Sequence, residues 1–186
     1  RMQTGKELQQ YARRLEAVID VLQYKAKNIQ YFLDYALKRA IAITNSEIGY
    51  IYLYSEEKKQ FILNSWSKEV MKECAVANPQ TCYELDKTGI WGEAVRQRKP
   101  IVINDFNAEN PLKKGYPDGH VQLHNFLTIP IFIQDHIVAV VGVANKPSPY
   151  DDSDVYELSL LMDAIWKSVE TMKAEQALRE SEERYK

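Results

Sequence analysis

The sequence predicts an α+β domain. One antiparallel sheet carries long N- and C-terminal helices on one face, and short helices and loops form a pocket on the other. Three observations lead there. Both ends of the chain place apolar residues at helical spacing. The middle holds runs with strand alternation. Those runs are joined by tight turns and by one long, turn-rich loop.

The first 43 residues read as one long helix, with no Gly after Gly5 and no Pro. Leu8, Ala12, Leu15, Ile19, Leu22, Ala26, Ile29, Leu33, Ala36, Ala40 and Ile43 step by four and three. That is a heptad seam, the pattern that lays two helices side by side. Tyr11, Val18, Phe32 and Leu37 widen the apolar face. The helix either lies on its own domain alone or also forms a dimer. The seam outruns the face of one small domain, which favours the dimer.

Two strands follow. Ile48, Tyr50, Tyr52 and Tyr54 alternate with Gly49, Ile51 and Leu53, and both sets are apolar or aromatic apart from the glycine. Such a strand is covered on both faces. Ser55 to Lys59 turns the chain, and Gln60 to Trp66 returns as the second strand. Ser67 then caps a short helix carrying Val70, Met71 and Cys74, ended by Asn78-Pro79. Thr88 caps a second, Gly89 to Arg98, with Trp91, Ala94 and Val95 inward. Pro100 stops it, and Ile101 to Ile103 is a short strand.

The stretch from Asn104 to Asn125 is a long loop, and loops of that length in compact domains tend to bind or to cover something. Phe126 to Asn145 is a hairpin turning at Gln134-Asp135-His136. Pro130 inside its first strand predicts an edge position or a bulge. The last helix starts near Asp151 to Asp154, with Val155, Leu158, Met162, Ile165, Val169 and Met172 on one stripe. After Leu178 it is almost wholly charged.

Composition narrows the function classes. Hydrophobic content of 45% with 27% charge is that of a globular chain. A net charge of −2 offers no electrostatic case for nucleic acid or an anionic membrane surface. No apolar run approaches the roughly 20 residues of a membrane span. The opening Arg-Met-Gln is polar and unlike a secretory leader, and it reads as a segment of a longer protein. A cytoplasmic location is expected, with no direct membrane contact. Cys74 and Cys82 make no disulfide framework and read as buried or half-buried thiols in a reducing compartment, with a redox or covalent-ligand role as the alternative.

The element order, with "SEIGYIYLY", "TGIWGEAVRQRKPIVIND" and "IVAVVGVANKPSPYDDSDVYELSLLMDAIW", resembles the GAF family of sensory domains over about residues 28 to 170. It is most similar to the GAF domains beside PAS domains in bacterial and archaeal sensor histidine kinases and diguanylate cyclases. "ALRESEERYK" looks like the linker and first cap of such a PAS domain. The resemblance implies a division into a dimer or linker helix (1–27), a GAF domain (28–172) and a helical linker starting a PAS domain (173–186). It also implies a cytoplasmic, non-catalytic signal-input module, a homodimer through its terminal helices, with PAS and effector domains in the same chain. In cyclic-nucleotide-binding members a scattered Asn-Lys…Phe…Asp-Glu signature is expected. Here Asn145, Lys146 and Asp154 match, Tyr150 stands for Phe, and Val155 replaces Glu. In those members the signature implies a Lys–Asp bridge beneath the pocket. The residues themselves read as a strand-to-helix joint: Asn145 ends a strand, Pro147 and Pro149 stiffen the link, and an aspartate caps the helix.

A small polar ligand is expected among Trp91, Asn104, Asp105, Lys114, Tyr116 and His120, which offer an aromatic wall, cationic donors and neutral hydrogen-bonding groups. Each has a structural alternative: Trp91 as core, Lys114 in solvent, Asp105 capping the loop, His120 bonding its backbone. No cofactor is named. The histidines and cysteines lack zinc spacing, the cysteines match no strong bilin motif, and haem rests on a single histidine. Two other functions compete with the sensor: a ligand-free dimerisation spacer, and a cysteine-based redox enzyme. The second has only two cysteines flanking Asn78-Pro79 behind it.

Overall fold

The computed structural model describes residues 2–67, 82–113 and 122–186. Its strands are β1 (Ile48–Ser55), β2 (Gln60–Trp66), β3 (Cys82–Glu84), β4 (Ile101–Ile103), β5 (Phe126–Ile133) and β6 (His136–Ala144). They form one sheet, every pair antiparallel, in the order β3-β2-β1-β6-β5-β4. The helices are α1 (Met2–Gln23), α2 (Ile29–Ile43), the single-turn α3 (Glu93–Arg96) and α4 (Asp152–Arg184). This is the α+β arrangement the sequence predicts.

Strand alternation divides the core. The odd-numbered residues of β1, Ile51 and Leu53, face α2 and α4 together with Leu127, Ile129, Ile131, Val141 and Val143. Against them the helices bury Leu33, Ala36, Leu37 and Ala40, and Leu158, Leu161, Met162, Ile165 and Trp166. Each fully buried large side chain here is worth about 1.5–3 kcal/mol relative to exposure. The even-numbered Ile48, Tyr50, Tyr52 and Tyr54 face the other side. Both faces of β1 are therefore covered, as its composition requires.

The single helix expected over the first 43 residues is two helices. Asn28 has an extended backbone, and its side chain accepts the Tyr31 N–H, starting α2 afresh. α1 turns back along α2. Tyr24 stacks on Tyr35 with centroids 3.9 Å apart, the Tyr35 hydroxyl donates to Asp20, and Arg39 pairs with Asp20 at 3.1 Å. On its other flank α1 meets α4, where Arg14 pairs with Glu157 at 2.7 Å and Gln10 donates to Ser153. The seam is thereby split. Its α2 members Leu33, Ala36 and Ala40 are buried, while its α1 members Leu8, Leu15, Ile19 and Leu22 stay exposed beside Tyr11, and α1 packs inward through Ala17 and Val21, which are not on the seam.

Two smaller expectations also shift. Thr88 caps no helix. Its hydroxyl donates to the Leu85 carbonyl and accepts from Arg96, and the chain enters α3 through a 3-10 turn at Ile90–Gly92. Arg96 holds this turn by donating also to the Gly89 and Thr88 carbonyls. Pro130 pairs with Val140 of β6, but β4 reaches only Thr128. β5 is thus one-sided at Pro130, and a register shift follows at Ile131/Phe132, so no ladder N–H is missed. In the hairpin, Gln134 and Asp135 both have positive φ, the primed turn that matches strand twist.

Beside that turn, Glu56 accepts from the Ile137 N–H at 2.7 Å, His136 at 2.9 Å and Arg98 at 3.0 Å. The Ile137 N–H is the main cause, with the two side chains, that holds its carboxyl down at about 2. A depressed carboxylate contributes stability above its unfolded value of about 4.3, lost as pH falls toward 2. Thermal unfolding should therefore show a steeper acid loss between pH 4.5 and 2 in the native chain than in Glu56→Gln. Equal slopes would remove this role.

Among the described residues no helix is long and apolar enough to cross a membrane, and no group of three His, Cys, Asp or Glu residues is placed to hold a metal ion.

Candidate functional site

The sheet face turned away from α2 and α4 is aromatic because β1 places Tyr50, Tyr52 and Tyr54 on one side by period-two alternation. Phe61 of β2 and Tyr83 of β3 extend it. The turn before α3 lowers Trp91 onto it. The Trp91 ring lies 4.9 Å from Phe61, 5.1 Å from Tyr52, 5.3 Å from Tyr83 and 6.4 Å from Tyr50. Toward β5 the surface continues through Phe126 and Phe106, 6.2 Å apart.

Two hydroxyls sit inside this wall. Tyr50 donates to Thr128 Oγ1 at 3.4 Å, and Tyr52 hydrogen-bonds with Trp66 and Tyr83. Burial drives both phenols well above the ordinary tyrosine value, so they remain neutral donors. Gly142, directly opposite Tyr50 across β1 and β6, leaves the space in which the Tyr50 ring lies. The face offers stacking surface and neutral hydrogen-bonding groups, the make-up of a site for a small planar or polar molecule.

Three of the six residues expected to bind ligand are described. Trp91 is the hub of the aromatic wall and stays partly exposed. Asn104 points to the chain rather than into the wall. Its Nδ2 donates to the Tyr150 carbonyl at 3.0 Å, and its Oδ1 accepts the Tyr150 N–H at 2.7 Å. Asp105 accepts the N–H groups of Asn107 and Ala108, shaping the loop. Trp91 thus stands in the aromatic wall, while the Asn104 and Asp105 side chains are engaged by backbone groups. Lys114, Tyr116 and His120 lie outside the described residues, as does Cys74. Cys82, expected to be buried or half-buried, is instead exposed, because β3 is the edge strand of the sheet. Lys113, next to Lys114, holds the Phe106 and Ala108 carbonyls and lies 4.7 Å above the Phe106 ring.

The joint expected at Asn145 to Asp154 is present. Asn145 takes a left-handed φ of 62°, which Asn tolerates better than most residues. Lys146 Nζ meets both Asp154 oxygens at 2.7 Å. Asp151 and Asp154 form a reciprocal capping box at the start of α4. The Tyr150 phenol, also raised by burial, is 2.6 Å from the Ser46 hydroxyl beyond α2.

Sequence reasoning missed two sets of residues. The tyrosines of β1 were visible as a covered strand, but their meeting with Phe61, Tyr83 and Trp91 depends on strand order. Asn125 was passed over as the end of a loop. It is 6% exposed, donates to the Lys146 and Ser148 carbonyls, and accepts the Lys146 N–H. A buried asparagine has no local signature.

Comparison with known proteins gives the same fold. A family model described as "GAF domain" matches residues 26–170. The chain is 43% identical over 166 residues to the methyl sulfide methyltransferase-associated sensor of Methanosarcina acetivorans. The match covers 89% of this chain but only 17% of that protein, so the chain spans about a sixth of the relative's length. Among solved structures, the GAF domain of a phosphoenolpyruvate-protein phosphotransferase from Coxiella burnetii superposes with a TM-score of 0.72 at 16% identity, covering 89% of this chain and 98% of that one. The free methionine-R-sulfoxide reductase of Neisseria meningitidis, solved with its substrate, gives 0.66 at 14% identity, covering 87% and 88%. Likeness at these identities is a likeness of fold.

Proposed function

The chain belongs to the GAF domain family, and on that premise we propose that it is a signal-input module that binds a small molecule and relays its state through paired terminal helices. The observation that carries the reading is the aromatic face around Trp91, with the neutral hydroxyls of half-buried Tyr50 and buried Tyr52, on the side of the sheet opposite the helices that continue along the chain. The 43%-identical relative being named a sensor supports the same class. Downstream, a PAS domain and a kinase or cyclase effector in the same chain would receive the signal.

The experiment is a thermal-shift screen at fixed protein concentration against cyclic nucleotides, haem, bilins, amino acids and small carboxylates. A ligand at a hundred times its dissociation constant adds about 2.7 kcal/mol. At this size that raises the midpoint by roughly 5–10 °C. The shift should vanish in Trp91→Ala. A shift that survives Trp91→Ala would move the site off this face.

The dimer part rests on α1. Leu8, Tyr11, Leu15, Ile19 and Leu22 are 49–65% exposed along one side of a helix whose other side is already packed. Tyr156 and Leu160 of α4 are also exposed, and the Arg14 guanidinium lies over both Tyr11 and Tyr156. A second copy covering this stripe is the proposed partner. Sedimentation at tens of micromolar should give a dimer, and Leu15→Glu a monomer. A native chain that sediments as a monomer would end the dimer proposal.

One observation favours a ligand-free spacer instead. Trp91 already touches four aromatic rings, which fill much of the space a ligand would need. A screen without any shift, with the dimer intact, selects that reading. The cysteine-based enzyme has Cys82 on a sheet edge as its described thiol; slow thiol titration at neutral pH would remove it.

A further inference from the structure

The loop that borders the aromatic face is fastened at both roots to one short piece of chain. Asn104, at its start, clamps the Tyr150 backbone with two hydrogen bonds of 2.7 and 3.0 Å. At its far end, Asn145 accepts the His124 N–H at 2.8 Å and donates to the Gln122 carbonyl at 3.0 Å. Asn125 binds back to Lys146 and Ser148. The two roots also bond each other, from the Phe106 N–H to the His124 carbonyl at 2.9 Å.

The segment these three asparagines hold, residues 145–150, leads directly into the Asp151 cap of α4. It also reaches α2. The Tyr150 hydroxyl bonds Ser46, Ser46 bonds Thr44 at 2.8 Å, and Thr44 donates to the Ala40 carbonyl in the last turn of α2. On the other side of Asn104, Phe106 is buried with Ile48, Ile90 and Phe126, against Tyr50 and Trp91. One side chain therefore stands between a ring in the aromatic face and the point where α2 ends and α4 begins.

We infer that Asn104 is the positioning residue that couples the aromatic face to the α2–α4 junction. The inference rests on the sensor reading above, whose relay it specifies. Three features set Asn104 apart from the other two asparagines. It is exposed, so its loss leaves no cavity, and what it removes is the pairing of the Tyr150 N–H and carbonyl. Its two bonds are to the backbone of the residue before the α4 cap, so a shift of the loop root moves that peptide directly. That residue, Tyr150, is 3% exposed and packs in the helix-side core, so movement there is felt by both helices. Asn125 and Asn145 are each 6% exposed and serve to hold the joint together.

The test is amide hydrogen exchange on the whole chain without ligand, in four forms: native, Asn104→Ala, Tyr150→Phe and the double variant. Asn110→Ala is the loop control, since among the described residues the Asn110 side chain accepts from the nearby Leu112 N–H and reaches neither Tyr150 nor the helices. Asn104→Ala should speed exchange about tenfold, the equivalent of one lost hydrogen bond, at the Ser46 and Glu47 amides as well as at Asp154 and Val155. Tyr150→Phe should speed the Ser46 and Glu47 amides alone. The double variant should add nothing further at Ser46, because both changes break one path. Asn110→Ala should leave all four amides unchanged. Faster exchange confined to residues 148–152, additive effects at Ser46, or an equal response to Asn110→Ala would each overturn the inference. Because no ligand is present, a failed ligand screen does not alter this outcome, and a failed exchange pattern does not alter the screen.

Discussion

Gly142→Ala is expected to lower stability by about 1–3 kcal/mol, and Gly142→Val by more. A Cβ at this position would lie 2.3 Å from Tyr50 Cζ, 2.4 Å from Cε1 and 2.6 Å from the hydroxyl. Real Cβ atoms do not come so close, so the ring has to leave. Tyr50 is paired across the sheet with Gly142, and its ring is hemmed in by Tyr52 at 5.2 Å, Phe126 at 6.3 Å and Trp91 at 6.4 Å. Moving it also breaks the bond to Thr128, which is fully buried. At this chain length the midpoint should drop by about 2–4 °C for each kcal/mol. In a Tyr50→Ala background the same glycine change should cost less than about 0.5 kcal/mol, since the clash partner is gone. A near-neutral Gly142→Ala, or equal costs in the two backgrounds, would show that the ring does not depend on this gap. The functional consequence is specific: a ligand that stacks on the aromatic face should lose affinity in Gly142→Ala even where the chain remains folded.

The second large effect lies at the joint. Lys146→Met should cost about 3 kcal/mol, because it strands a buried carboxylate. The two side chains are 14% and 6% exposed, so solvent screens the pair little. Asp154 also accepts the Asp151 N–H at 3.0 Å, and that bond alone cannot replace an ammonium that reaches both of its oxygens at 2.7 Å. Adding Asp154→Asn to Lys146→Met should recover more than half of the loss, since a neutral amide needs no counter-charge and can still accept from Asp151. Urea unfolding of the two singles and the double closes the cycle. If the double is as unstable as the sum of the singles, the pair is not the source of the effect. The capping box formed by Asp151 and Asp154 adds its own smaller term, so Asp151→Ala should fall near 1 kcal/mol, the usual size of an N-cap loss.

Much of the fold was legible because it depends on periodicity within one element. Ile51 and Leu53 against Tyr50, Tyr52 and Tyr54 announced a strand covered on both sides, whatever covered it. The aspartates after Pro149 announced a helix start, and the alternating three- and four-residue steps through Leu158, Met162, Ile165 and Val169 announced its buried stripe. Lys146 and Asp154 were readable as a pair through the signature that the GAF resemblance implies, and the observed bridge agrees with it. The GAF resemblance added the sheet's company, and the family match agrees with it.

The break at Asn28 was not read, although a capping residue stood in the right place. A helical stripe continues in phase across residues 24–28, so spacing is the same for one long helix and for two that fold back. The choice is made by the Tyr24–Tyr35 stack and by Asp20 meeting Tyr35 and Arg39, all of which exist only after the turn is made. Thr88 misled for a related reason: a hydroxyl before a helix is a cap only if no better partner arrives, and Arg96 arrives from eight residues on. The candidate site divides along the same line. Trp91 stood out by its chemistry. The partners of Asn104, Asn125 and Asn145 lie 21 to 46 residues away, and Tyr50 needs a glycine on a strand that is distant in the chain. Contacts of short range follow from residue order, because the chain's own geometry brings them together. Contacts between distant segments follow from which strands pair and in what register, and that is settled by burial of the whole core at once.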